Sequence, residues 1–197
     1  MAQRTLKQQK EQKQGDLLNS AYQYFLTKGF AKTTIDDIVR RAQVAKGTFY
    51  LYFHDKEDIM KHLVIQISSQ IVIRAYTKTK ERNIPDFLPA VLCFIDTIIE
   101  YFKANKAVLK LIERNFSWPL VMEYLSEGNQ EEITQILEEL LNYPQLRRFD
   151  RDEAFRMIYM IVELVGSVCY TSIIEEQPAP IDHLKPTLYR MVEKILI

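Results

Sequence analysis

Little in this chain of 197 residues is suited to covalent cross-linking or metal binding, since it holds two cysteines and three histidines. Cys93 and Cys169 stand far apart in apolar stretches, which suits buried, reduced thiols rather than a disulfide. His54, His62 and His183 make no compact ligand series, and no nucleophile sits in a recognisable elbow. No metal, cofactor or catalytic residue is therefore expected, and an enzyme would need dispersed residues to converge in space. Runs of alternating polarity strong enough for a sheet are missing, as are repeats and low-complexity linkers. The most apolar segment, "MIYMIVELVGSVCY" at 157–170, carries Glu163 and is too short and too polar for a membrane span. It reads as a helix buried on several sides. The opening "MAQRTLKQQKEQKQGD" has no apolar core and does not read as a signal peptide, so a cytoplasmic protein without membrane insertion is expected.

Net charge is also lacking, with 26 basic and 26 acidic residues. Its distribution is uneven: residues 1–62 carry 11 Lys or Arg and 7 Asp or Glu, and the remainder carries 15 and 19. A basic end on a neutral chain suggests that one module meets a polyanion.

What is present is helical periodicity, with apolar residues three and four apart throughout. Leu17, Ala21 and Phe25 share one face of a first helix, and Gly29 stands where a helix stops, because it takes positive φ without a Cβ penalty. Thr34 caps a second, short helix with Asp37 three residues on. A third follows through "GTFYLYF", and Asp55 precedes a fourth that runs to about Lys80. Further helices are expected over 86–105, 106–116, 120–141, 152–175 and 181–197, with breaks at "SWP", "NYPQLRRFD" and "EQPAPID". Pro89 falls in a first turn, where its missing amide hydrogen costs little.

The stretch "AQVAKGTFYLYFHDKEDI" crowds four rings around a glycine. Phe49 and Phe53, four apart, predict core rings, whereas Tyr50 and Tyr52 are left to offer hydroxyls to phosphate, with the Tyr50 ring also able to pack on a thymine methyl. Gly47 removes a side chain where a sugar-phosphate backbone could approach. Thr34, Lys46 and Lys56 add a hydroxyl and two cations to the same surface, and Lys46 can reach a guanine edge. The plainer alternative is a three-helix core with solvated lysines and half-buried tyrosines.

Taken together, "AYQYFLTKGF" followed by "TTIDDIVRRAQVAKGTFYLYFHDKEDI" closely resembles the DNA-binding module of TetR-family transcriptional regulators, over roughly residues 15–62. The resemblance implies an all-α, TetR-like fold. Residues 1–62 would be a three-helix, helix-turn-helix DNA-binding domain with an amino-terminal extension, and 63–197 a helical effector-binding and dimerisation domain. Positions similar to family contacts are Thr34, Ala45, Lys46, Gly47, Tyr50, Tyr52 and Lys56. Tyr52 stands where the family often has histidine, and Leu51 where several members place a contacting tyrosine. The function implied is a homodimeric regulator, in particular a repressor released from palindromic double-stranded DNA by a small molecule. A helical dimer without specific DNA binding, or an enzyme, would bind no duplex of two related half-sites.

Beyond the module, the helix at 152–175 spreads apolar residues over more than one face, and the last helix adds another stripe. Phe155, Ile158, Ile161, Val162 and Val165, with Leu184, Leu188, Met191 and Ile195, are candidates for a four-helix interface between two chains. Phe94, Tyr101, Phe116, Trp118, Tyr124 and Tyr159 are candidates to line an apolar pocket. Glu163 would need compensation inside an apolar helix, by a neighbouring arginine or by a cationic ligand. An apolar or cationic effector is the expectation.

Overall fold

A computed structural model describes residues 6–113, 115, 118, 121 and 131–196, and among these all regular structure is helical. The chain divides into two compact units, Met1–Gln66 and Ile67–Ile197.

The first unit comprises α1 (Leu6–Thr27), α2 (Ile35–Ala42), α3 (Lys46–Tyr50) and the opening turns of α4 (Lys56–Glu81). Helix α1 begins well before its apolar face, and its residues 8–13 are exposed. It ends at Gly29, whose φ of +83° places it in the left-handed region while its amide donates to the Tyr24 carbonyl. Thr34 caps α2 as its sequence predicts: its hydroxyl accepts from the Asp37 amide, and the Asp37 carboxylate accepts from the Thr34 amide, both at 3.1 Å. Gln43, at φ 55°, closes α2 and turns the chain into α3.

Leu17, Ala21, Ile38, Phe49, Phe53 and Ile59 are at most 1 % exposed and form the core of this unit. The spacing of Phe49 and Phe53 thus delivers two core rings, with centroids 5.6 Å apart. Burying each stabilises the module by about 1.5–3 kcal/mol before entropy is counted.

The second unit continues α4 and adds α5 (Phe87–Ala104), α6 (Lys106–Glu113), α7 (Glu131–Leu141), α8 (Arg151–Tyr170) and α9 (Ile181–Leu196). Helix α8 runs directly into a wider π-helical turn, Thr171–Glu175. Asp150 caps α8 by accepting from the Glu153 amide at 2.7 Å. Ala154, Met157, Ile161, Val165 and Cys169 form the buried stripe of α8, which packs on α5, α6, α7 and α9. Burial pushes the Cys169 thiol up to about 12, so this cysteine stays protonated. By length and composition Arg151–Glu175 could cross a membrane, yet it is also the helix around which this unit packs.

Two expectations change here. Glu163 is exposed, because it lies off the buried stripe of α8 formed by Ala154, Met157, Ile161, Val165 and Cys169, where water solvates it. Ile161, Val165 and Leu188 are buried within the chain's own core, whereas Val162 and Met191 remain 39 % and 38 % exposed, and Phe155, Ile158, Leu184 and Ile195 half-buried.

Candidate nucleic-acid interface

Helix α3 is short, and its composition divides it cleanly. Phe49 faces the core, while Ala45, Lys46, Gly47 and Tyr50 are exposed. Tyr50 is 54 % exposed with its ring edge-on to Phe49, 5.5 Å between centroids, so the core ring positions the outward one. A Cβ placed on Gly47 would meet nothing within 4 Å. Neither packing nor backbone conformation therefore demands glycine there. Leu51, at the end of the helix, is 80 % exposed.

Thr34 is exposed at the start of α2. Lys46 pairs with Asp36 at 2.9 Å, both side chains being more than half exposed. The hydrogen bond from Asp36 raises the Lys46 pKa, so its charge is secure. A pair this open to water is weak, and a phosphate can exchange with the carboxylate. Asp36 is the residue that sequence reasoning missed; its position on the outward side of α2 was the available signal. Tyr52 is half-buried, its ring tilted on Phe53.

Lys56 takes a different course. Its ammonium donates to the carbonyls of Phe30 at 2.9 Å and Thr33 at 3.0 Å and lies 4.3 Å from the Phe30 ring centroid. An ammonium has three donors, so one remains for an outside acceptor. Below it, Asp37 accepts from Lys28 at 2.5 Å and Arg40 at 2.8 Å. The hydrogen bond from Lys28, followed by those from Thr34, holds the Asp37 carboxyl far below the usual carboxylate range. The loop that presents Thr34 is thus clamped from both sides by side-chain charges.

Of the described candidate pocket residues, Trp118 and Tyr159 meet each other, whereas Tyr101 lines a cavity that neither of them borders. Trp118 packs edge-on against Phe155 and Tyr159, and Phe94 is half-buried. Phe116 and Tyr124 lie outside the described residues. Tyr101 lines a cavity of about 260 Å³ between α4 and α5, together with Arg74, Lys78, Arg82, Asp96 and Glu100. Among the described residues no group of three or more His, Cys, Asp or Glu is placed to hold a metal ion.

A short capped helix, a tight turn and a second helix with a buried ring and an outward polar surface define a helix-turn-helix module on a helical body. Residues 17–63 match the family described as "Bacterial regulatory proteins, tetR family". The transposon Tn10 TetC protein of Escherichia coli is 27 % identical over 143 residues, 69 % of each chain. In fold, the chain is similar to the fatty acid degradation regulator FadR of Bacillus halodurans, with a TM-score of 0.62, 16 % identity and 97 % and 96 % of the two chains covered. FadR of Bacillus subtilis in complex with stearoyl-CoA superimposes with a TM-score of 0.59 at 19 % identity, covering 90 % of this chain and 96 % of that one. Residues 17–63 are thus a TetR-family regulatory module, on a body whose fold is that of TetR-like regulators.

Proposed function

We propose that the protein is a homodimeric repressor that binds a partly palindromic DNA site through residues 34–56 of each chain and is released by a small molecule held in the second unit. The observation that carries the DNA reading is the division of α3 between Phe49, fully buried, and Lys46, Gly47 and Tyr50, all outward. In this reading Tyr50 and Tyr52 donate to phosphates, Lys46 exchanges Asp36 for the duplex, and the bare surface of Gly47 sets the distance of approach. Ala45 and Thr34 flank that approach, and Lys56 gives its third donor to a phosphate while holding the loop.

Residues 1–62 act as the DNA-binding domain and 63–197 as the effector and dimerisation domain. The partly exposed apolar residues Tyr159, Met160, Val162 and Met191 on α8 and α9 support pairing of these helices with a second copy. The FadR of Bacillus subtilis that shares this fold binds stearoyl-CoA, which supports reading the second unit as a ligand receptor. The ligand acts by preferring the arrangement that fits DNA poorly; equal affinity for both would shift nothing. The protein works in the cytoplasm and without catalysis.

Selection of bound duplexes from a random pool tests this reading. Two related half-sites should emerge, with centres a whole number of helical turns apart, about 34–36 Å for one turn. Recovery of no sequence above non-specific background would end it.

A further inference from the structure

We infer that the cavity between α4 and α5 is a binding site for a polyanionic small molecule, its phosphate or carboxylate groups gripped by Arg74, Lys78 and Arg82. The inference builds on the reading of the second unit as the effector domain and gives the effector a charge. It is opposite in sign to the cation that Glu163 suggested from the sequence.

Arg74 and Lys78 lie four residues apart on one face of α4, and Arg82, in the turn just past the helix end, brings a third cation to the same cavity. Like charges at that spacing repel one another and weaken a helix. All three are exposed to water, and no described carboxylate lies within ion-pair distance of any of them; Asp96 acts on Arg82 only across a longer gap. Two of the three side chains are nevertheless positioned. Arg82 donates to the Cys93 sulfur at 3.2 Å, and the Arg74 guanidinium stands 5.8 Å from the Tyr101 ring centroid. Neither contact neutralises charge.

Two carboxylates, Asp96 and Glu100, face the same space, but both are engaged elsewhere. Lys185 donates to Asp96 at 2.6 Å and to Glu100 at 2.5 Å. Tyr189 adds a hydrogen bond to Asp96 at 2.6 Å, and Lys103 one to Glu100 at 3.0 Å. Burial pushes the Asp96 carboxyl up, yet the bonds from Lys185 and Tyr189 leave it net below its ordinary value. The acidic side of the cavity is therefore compensated from α5 and α9, and the basic side awaits an anion. The arginine forks suit bidentate capture of phosphate or carboxylate, with Lys78 as a point charge between them.

At about 260 Å³ the cavity falls just short of the range typical for drug-sized ligands, roughly 300–1,000 Å³. It fits a small polyanion, or the charged head of a longer ligand, with Ile71, Ala75 and Ala104 supplying the apolar wall.

Calorimetric titration of the full chain, without DNA, with pyrophosphate, with citrate and with the apolar cation tetraphenylphosphonium tests the site. One or both anions should bind; pyrophosphate alone would mark a phosphate ligand and citrate alone a carboxylate ligand. The double variant R74Q/K78Q should weaken binding by about 10-fold or more per cation removed. R82Q, which leaves the Tyr101 contact intact, should weaken it about 10-fold and provides a second reading if the double variant misfolds. Amide hydrogen exchange with the anion bound should slow over residues 71–82 and 96–105. Protection over 34–53 instead would place the anion on the DNA-binding surface and overturn the inference, as would binding of the cation alone, affinity unaltered by the substitutions, or no anion binding at millimolar concentration. Anion binding that leaves DNA affinity unchanged would confirm this site while refuting the proposed release mechanism.

Discussion

Removing the Lys56 side chain beyond Cβ should damage both folding and DNA binding, and the structure sets the size of each effect. Lys56→Ala deletes two charge-assisted hydrogen bonds to the Phe30 and Thr33 carbonyls and a cation resting 4.3 Å from the Phe30 ring centroid. Charge-assisted bonds reach about 1.5–3 kcal/mol each when buried, and a partly exposed cation-π contact about 0.5–1 kcal/mol. Lys56 is only half-buried, so water recovers much of this and the net loss should be about 2 kcal/mol. In a chain of this length that corresponds to roughly 4–8 °C in Tm if unfolding is cooperative. Loss of one phosphate contact should also flatten the slope of log affinity against log salt by about 0.9, equally for all duplexes. Urea denaturation and binding isotherms at several salt concentrations measure the two effects separately. Stability unchanged within about 0.5 kcal/mol would refute the loop strap, and an unchanged salt slope would refute the phosphate role.

Asp37→Asn should lower stability at neutral pH and flatten its fall in acid. The Asp37 pKa is depressed in the fold, so its contribution is present above the ordinary carboxylate value of 3.8 and lost as pH falls from there through the depressed folded value; denaturation across pH 2–6 reads the slope. Tyr50→Ala, at a site 54 % exposed, should leave stability within about 0.5 kcal/mol of the parent. It should nevertheless weaken specific DNA binding about 10-fold, measured by fluorescence anisotropy. Val162→Glu should shift the protein from dimer to monomer in light scattering at micromolar concentration, and a persisting dimer would place the interface elsewhere.

The parts of this structure legible in the sequence are those decided locally. Thr34 and Asp37 are three residues apart and Phe49 and Phe53 four, so cap and core follow from spacing alone. Gly29 marks its own turn through a backbone conformation other residues resist. Lys56 was legible as a surface cation but not as a strap, because the carbonyls that capture it lie 23 and 26 residues earlier, in a loop whose path no local rule predicts. Glu163 misled for a related reason: a helix apolar on several sides does not reveal which side its neighbours will cover. The spacing of Arg74, Lys78 and Arg82 was visible, but not that Lys185, 89 residues from Asp96, would occupy the carboxylate facing them.

The central claim is specific recognition of DNA through residues 34–56. Its most direct test is the ratio of affinities, at one salt concentration near physiological, for the selected two-half-site duplex and for a scrambled duplex of equal length and composition. The account predicts a ratio of about 1,000 or more, as specific regulators show over their own non-specific binding. Equal affinities for the two duplexes would contradict it.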